Sequence, residues 1–150
     1  YMTIYLVMNL AFFSCLLMLK KNSIYFEKIE DLSGLSKNHP MLSLSFLVVL
    51  FSLAGIPPLA GFFGKFYVFM AVIDQKLYTL AIIGLLATVI SAFYYLRLIK
   101  IIYFDKPVNE LDKNNNIGLR ITLFLSTSFI VFFFVYPNGI TEFVKFINLI

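Results

Sequence analysis

Cysteine, histidine and charge are all scarce in this chain. Its 150 residues hold one cysteine and one histidine, and Asp, Glu, Lys and Arg make up 13%, about half the charged share of a soluble domain. The lone Cys15 excludes an intrachain disulfide and cannot hold an iron–sulfur cluster. His39 by itself cannot build a metal site. No glycine-rich turn follows a strand to cradle a dinucleotide, and no nucleophile–base set stands out, which argues against a stand-alone enzyme. No basic region precedes the first apolar segment, so it does not read as a signal peptide. The chain opens Tyr1-Met2, whereas a natural start is expected to be Met, so residues are expected ahead of Tyr1.

What is abundant is apolar. Hydrophobic residues are 61% of the chain and the mean hydropathy is +0.91, against roughly 45–50% apolar content in soluble domains. The apolar runs fall at about 1–19, 40–73, 77–104 and 117–136, each near or above the ~20 residues a bilayer core needs. They are too long and too little alternating for barrel strands. The expectation is an all-α membrane protein with four transmembrane helices in a single domain, closed by a short amphipathic tail over 140–150 after the Pro137-Asn138-Gly139 stop.

Charge sorts the loops. Lys20, Lys21, Lys28 and Lys37 lie in the first polar loop, and Arg97, Lys100, Lys106, Lys113 and Arg120 in or beside the third. The opposite side carries Lys76 and, in the tail, Lys145. The positive-inside rule puts both basic loops in the cytoplasm or mitochondrial matrix. The net charge of +4 follows from that placement and is no evidence for nucleic acid. Within the first loop, Ile24, Tyr25, Ile29 and Leu32 fall near one face, which suits a short interfacial helix over 23–32, with a solvated connector as the alternative.

The second segment carries the most information. Its stretch SLAGIPPLAGFFGKFYVF, Ser52–Phe69, sets a lysine, Lys65, behind a Gly55-Ile56-Pro57-Pro58 break. As one straight helix the segment would span about 50 Å, against roughly 30 Å of hydrocarbon. Both prolines lack a donor and disfavour helix just before them. Two half-helices, Met41–Ala54 and about Leu59–Ile73, are therefore expected around an unwound turn that includes Gly55, Pro57, Pro58 and, close behind, Gly61. Lys65 then lies about 14 Å from the outer end, near the midplane. A lysine there costs about 2.5–3.5 kcal/mol on insertion scales, and irregular backbone is tolerated only inside protein or beside water. Together they point to an ion path. A lysine suits proton transfer because burial and neighbouring charges adjust its hold on the proton.

Other candidates surround it. Gly84, Thr88, Ser91 and Tyr95 fall on one face of the third helix, either for close helix packing or as a hydrated wall facing Lys65. His39 precedes Pro40 and reads as a helix cap, with proton entry from the inner side as the alternative. Asn9 is expected to hydrogen-bond to a neighbouring helix.

These residues carry a resemblance. The stretch Ser52–Phe69, followed by SAFYYLRLIKIIYFDKP from Ser91, resembles the C-terminal third of subunit 2 of proton-pumping NADH:ubiquinone oxidoreductase (respiratory complex I), called subunit N in bacteria. The resemblance covers the whole chain. It implies a fourteen-helix antiporter-like bundle, of which these would be the last four helices, the second discontinuous. It also implies that Lys65 ends a row of buried charges and connects to an aqueous half-channel. The rest of that row has no counterpart here, so this chain alone cannot hold a complete proton path. A subunit made in two pieces, or a fragment, follows. Implied partners are the N-terminal portion of the same subunit, other membrane-arm subunits and lipid. No cofactor is expected in this chain; flavin, iron–sulfur clusters and quinone would sit elsewhere in the complex. The implied location is the mitochondrial inner membrane or a bacterial plasma membrane. The alternatives are a subunit of a related cation/proton antiporter or membrane-bound hydrogenase, or a purely structural piece.

Overall fold

A computed structural model of the chain describes residues 1–21, 24–25, 28–107 and 116–133. The expected tail over 140–150 and the end of the fourth segment lie outside the described residues. Among the described residues the architecture is helical: α1 (Met2–Leu17), α2 (Leu35–Asn38), α3 (Pro40–Ala54), α4 (Ala60–Asp74), α5 (Tyr78–Phe104) and α6 (Ile117–Phe132). The only strand pairing among them is a two-residue ladder of β1 (Lys20–Lys21) with β2 (Ile24–Tyr25), antiparallel, Lys20 opposite Tyr25.

That ladder corrects the interfacial helix expected over 23–32. The chain turns back on itself at Lys20–Tyr25 and then makes one 3-10 turn at Ile29–Leu32. The Lys28 N–H donates to the Asp31 carboxylate at 3.1 Å, which closes the start of that turn. Leu32 is buried, whereas Ile29 is 50% exposed. Pairing with Lys20–Lys21 holds Ile24 and Tyr25 in a strand and takes them out of any helix.

The core sits around α3. Its Phe46, Val49 and Leu50 are essentially inaccessible and pack with Ala11 and Cys15 of α1, Ile102 of α5 and Ile130 of α6. Ala11, Ser14 and Cys15 give α1 a strip of small buried side chains at helical spacing, which lets neighbouring backbones approach closely. α6 starts cleanly because the Asn116 side-chain oxygen accepts the Gly118 N–H at 3.1 Å, an N-cap for otherwise orphaned donors.

The outer faces are apolar rather than polar. On α5 the side chains of Ile82, Ile83, Leu86, Val89, Ile90 and Phe93 are all more than half exposed. A contiguous apolar surface of this extent marks a membrane or partner interface. α5, with 27 residues, is the one helix among the described residues long and apolar enough to cross a membrane by itself. α1 and α6 are described over 16 residues each and α3 and α4 over 15 each, roughly 24 Å or less of helix.

Candidate functional site: a helix break closed by a lysine

The site is built where α3 stops and α4 begins. In a continuous helix the Leu53 and Ala54 carbonyls would accept from residues 57 and 58. Both are prolines, and neither has an N–H to give. The chain instead leaves the helix through Gly55, whose φ of +83° is left-handed. The Gly55 N–H donates to the Ser52 carbonyl at 3.0 Å and the Ile56 N–H to the Phe51 carbonyl at 3.0 Å. This is a Schellman motif, which satisfies two of the end carbonyls. The peptide between Pro57 and Pro58 is cis.

Lys65 supplies a donor that Pro57 lacks. Its Nζ donates to the Leu53 carbonyl at 2.8 Å. An ammonium at a helix C-terminus also meets the negative end of the α3 dipole, worth up to ~2 kcal/mol where partly buried. Lys65 is half-buried. Gly55 makes room for it: a Cβ on that residue would come within 3.1 Å of Lys65 Cδ and 3.4 Å of Nζ. Gly55 is thus required twice, once for its backbone angle and once for the lysine stem lying across it.

The start of α4 is held by a second substitution of side chain for backbone. Ser52 Oγ, fully buried, accepts the Gly61 N–H at 3.0 Å and donates to Met8 Sδ at 3.1 Å. A serine of α3 therefore caps α4 from outside it, and ties both to α1. Gly61 is forced: a Cβ there would overlap the Ser52 carbonyl.

A cavity of about 220 Å³ opens beside this break, lined among others by Lys65, Thr88, Ser91 and Tyr95, with Tyr1 and Tyr5 of the α1 end opposite. That volume has room for several waters. The Thr88 hydroxyl donates to Leu85 O at 2.7 Å and the Ser91 hydroxyl to Ala87 O at 2.9 Å. Their protons are used on their own helix, which leaves their oxygens as acceptors toward the cavity. The stripe on α5 therefore divides. Gly84 packs, since a Cβ there would meet the Phe69 ring at 2.9 Å. Thr88, Ser91 and Tyr95 form the polar wall on the Lys65 side.

One sequence expectation changes and one holds by position alone. Asn9 does not reach across to another helix; its amide donates to Tyr5 O in its own helix at 2.8 Å. His39 stands at the N-cap position of α3, but its side chain makes no cap bond. Its carbonyl accepts the first intrahelical bond, from the Ser43 N–H, and also the Ser43 hydroxyl, both at 3.0 Å. His39 and Lys65 are not brought together: the whole of α3, about 22 Å, separates His39 from the break. Sequence reasoning missed Ser52, Met8, Tyr1 and Tyr5. For Ser52 a signal existed, since it directly heads the break stretch; for the α1 residues only the packing of α1 on α4 could reveal them.

Comparison with known proteins defines the class. The family described as NADH:quinone oxidoreductase/Mrp antiporter, TM matches residues 1–91, more than half the chain. The chain belongs to that family of membrane proteins. Among its relatives, NADH-quinone oxidoreductase subunit N of Pelagibacter ubique (strain HTCC1062) is 65% identical over all of this chain and 32% of its own length. Subunit N of Parvibaculum lavamentivorans is 51% identical over 91% of this chain and 28% of its own. Among solved structures, respiratory complex I from Thermus thermophilus with bound aureothin contains a chain of like fold, with a TM-score of 0.75 and 27% identity, covering 90% of this chain and 32% of that one. This chain spans about a third of the length of the relatives it matches.

Proposed function

We propose that this chain is the C-terminal third of an N-type membrane-arm subunit of a proton-translocating NADH:quinone oxidoreductase. In this reading α1, the α3–α4 pair, α5 and α6 are four transmembrane elements of a fourteen-helix bundle, the second of them discontinuous. Lys65 lies near the midplane and is a station on the proton path. The chain itself carries no redox step. The remaining segments of the bundle, other membrane-arm subunits and lipid are its partners. The relatives named above are bacterial, which supports a bacterial plasma membrane over a mitochondrial one, with both basic loops on the cytoplasmic side.

One observation carries this reading. Lys65 holds the open end of α3 through Leu53 and borders a cavity with polar acceptors. As ammonium it donates to a helix end that has lost its own donor; when it gives up the proton, water in the cavity takes it, and the oxygens of Thr88, Ser91 and Tyr95 are positioned to accept hydrogen bonds from that water. A group that is needed in its charged form and faces a wet exit can hold charge and pass it on. Ser91 and Tyr95 are the wall of that exit. His39, at the far end of α3, is left at most an entry role at the basic side.

The test is proton uptake and NADH oxidation in membrane vesicles carrying the full-length protein with Lys65→Met. Uptake is expected to fall while the protein still inserts, and Lys76→Ala, altered in the exposed α4–α5 turn, is expected to leave it near normal. Full coupled uptake with Lys65→Met would leave only the structural reading. The family also spans cation/proton antiporters, so a second outcome matters: sodium-dependent uptake independent of NADH would favour that reading.

A further inference from the structure

A second hollow lies at the other end of α3, away from the break. It is a groove of about 480 Å³ where the end of α1 and the starts of α3 and α6 meet, lined by Met18, Met41, Ser45, Arg120, Phe124 and other apolar side chains. Ser45 needs no further donor site there, because its hydroxyl donates to Met41 O at 3.1 Å. Arg120 is the one charged residue in the lining. It is exposed and stands in the first turn of α6. Along α6 the lining runs from Ile117 to Leu125, a length of about 12 Å. The groove thus has a guanidinium at its mouth and an apolar throat running into the bundle.

The surroundings of the mouth share that sign. The Gly34 N–H donates to Ile101 O at 3.1 Å, which brings the end of α5 to the same end of the bundle as the starts of α3 and α6. Lys20, Lys28, Lys37, Arg97, Lys100 and Lys106 belong to these segments, against Glu30, Asp31 and Asp105. Such an excess attracts anionic lipid, and a guanidinium pairs well with a phosphate.

We propose that this groove binds an anionic phospholipid, with the headgroup phosphate on Arg120 and an acyl chain in the throat between α3 and α6. The lipid bridges α1, α3 and α6 at the end of the bundle opposite the lysine-held break.

The experiment uses the full-length protein in phosphatidylcholine nanodiscs. They are doped either with phosphatidylglycerol or with phosphatidylcholine carrying a photoreactive diazirine on the acyl chain, and the labelled peptides are mapped. Label is expected on the peptides holding Met41–Ser45 and Ile117–Leu125, about fivefold more from phosphatidylglycerol, the worth of one basic side chain near the membrane surface. Arg120→Gln is expected to level the two lipids and Arg120→Lys to keep most of the preference. Ser45→Trp, which fills the throat, is expected to remove the label from both peptides. Lys76→Gln, in the α4–α5 turn at the opposite end of α5, is expected to change nothing. Equal labelling by the two lipids in the unaltered protein overturns the proposal, since the groove then holds only bulk lipid. Absence of label from both peptides overturns it too, since protein then covers the groove.

Discussion

The two ends of the α3–α4 run close in the same way with opposite residues. After α3, Gly55 takes the left-handed conformation, with its own N–H on Ser52 O and the next one on Phe51 O. After α4, Lys76 takes it at φ +58°, with its N–H on Ile73 O at 2.8 Å and the Leu77 N–H on Val72 O at 3.2 Å. The hydrogen-bond pattern is one motif used twice. At the α4–α5 turn a lysine takes the left-handed angle with its side chain exposed. At the break only glycine fits, because another lysine's stem lies there. Lys76 at +58° lies inside the small left-handed region open to L residues and Gly55 at +83° lies beyond it, and the neighbour differs as well. The lysine that is part of a turn is exposed, and the lysine laid across a turn is half-buried and closes a helix end.

The sharpest way to test that contrast is to exchange the consequences of the two lysines. Lys65→Met is expected to abolish most proton uptake coupled to NADH oxidation in vesicles, while Lys76→Ala retains it. Equal losses for the two would mean that both serve assembly only. On stability, the largest effect is expected from Gly61→Ala, whose Cβ overlaps the Ser52 carbonyl. A loss of about 1–3 kcal/mol, typical of overpacking, should appear as a lowered melting temperature in detergent, and the Ser52 cap on α4 should fail with it. Gly55→Ala comes next, at about 1–2 kcal/mol for the left-handed angle alone, with the Lys65 stem displaced in addition. The mirror substitution, Lys76→Gly, should raise stability by somewhat less than that, up to ~1 kcal/mol, because glycine carries its own entropic cost; a destabilised Lys76→Gly would break the comparison. Smallest of all, Asn9→Gln should shift melting by under ~0.5 kcal/mol, since its bond returns to its own helix and leaves no buried partner behind.

Parts of this architecture were legible and parts were not, for physical reasons. The all-helical membrane class was legible in the length and composition of the apolar runs, because a bilayer demands both. Where the helix between Pro40 and Asp74 must fail can be read from Pro57 and Pro58, since a missing N–H is a covalent fact. The interfacial helix over 23–32 does not form because the spacing of Ile24, Tyr25, Ile29 and Leu32 cannot show that the first two pair back onto Lys20–Lys21. Asn9 was misread because a polar side chain in an apolar helix can satisfy itself one turn back, and spacing cannot tell that from a bond across helices.

By itself, then, the sequence determined which carbonyls would be left without donors: those of Leu53 and Ala54, four residues ahead of the two prolines. It could not say what takes the place of those donors. That was decided by tertiary packing, which returns α4 over the end of α3 so that Lys65 reaches Leu53, Ser52 reaches Gly61 and the α5 stripe closes a polar cavity beside them. Covalent chemistry sets a local deficit within four residues; the partner that fills it comes from twelve residues on, or from another helix, and only the fold brings it within reach.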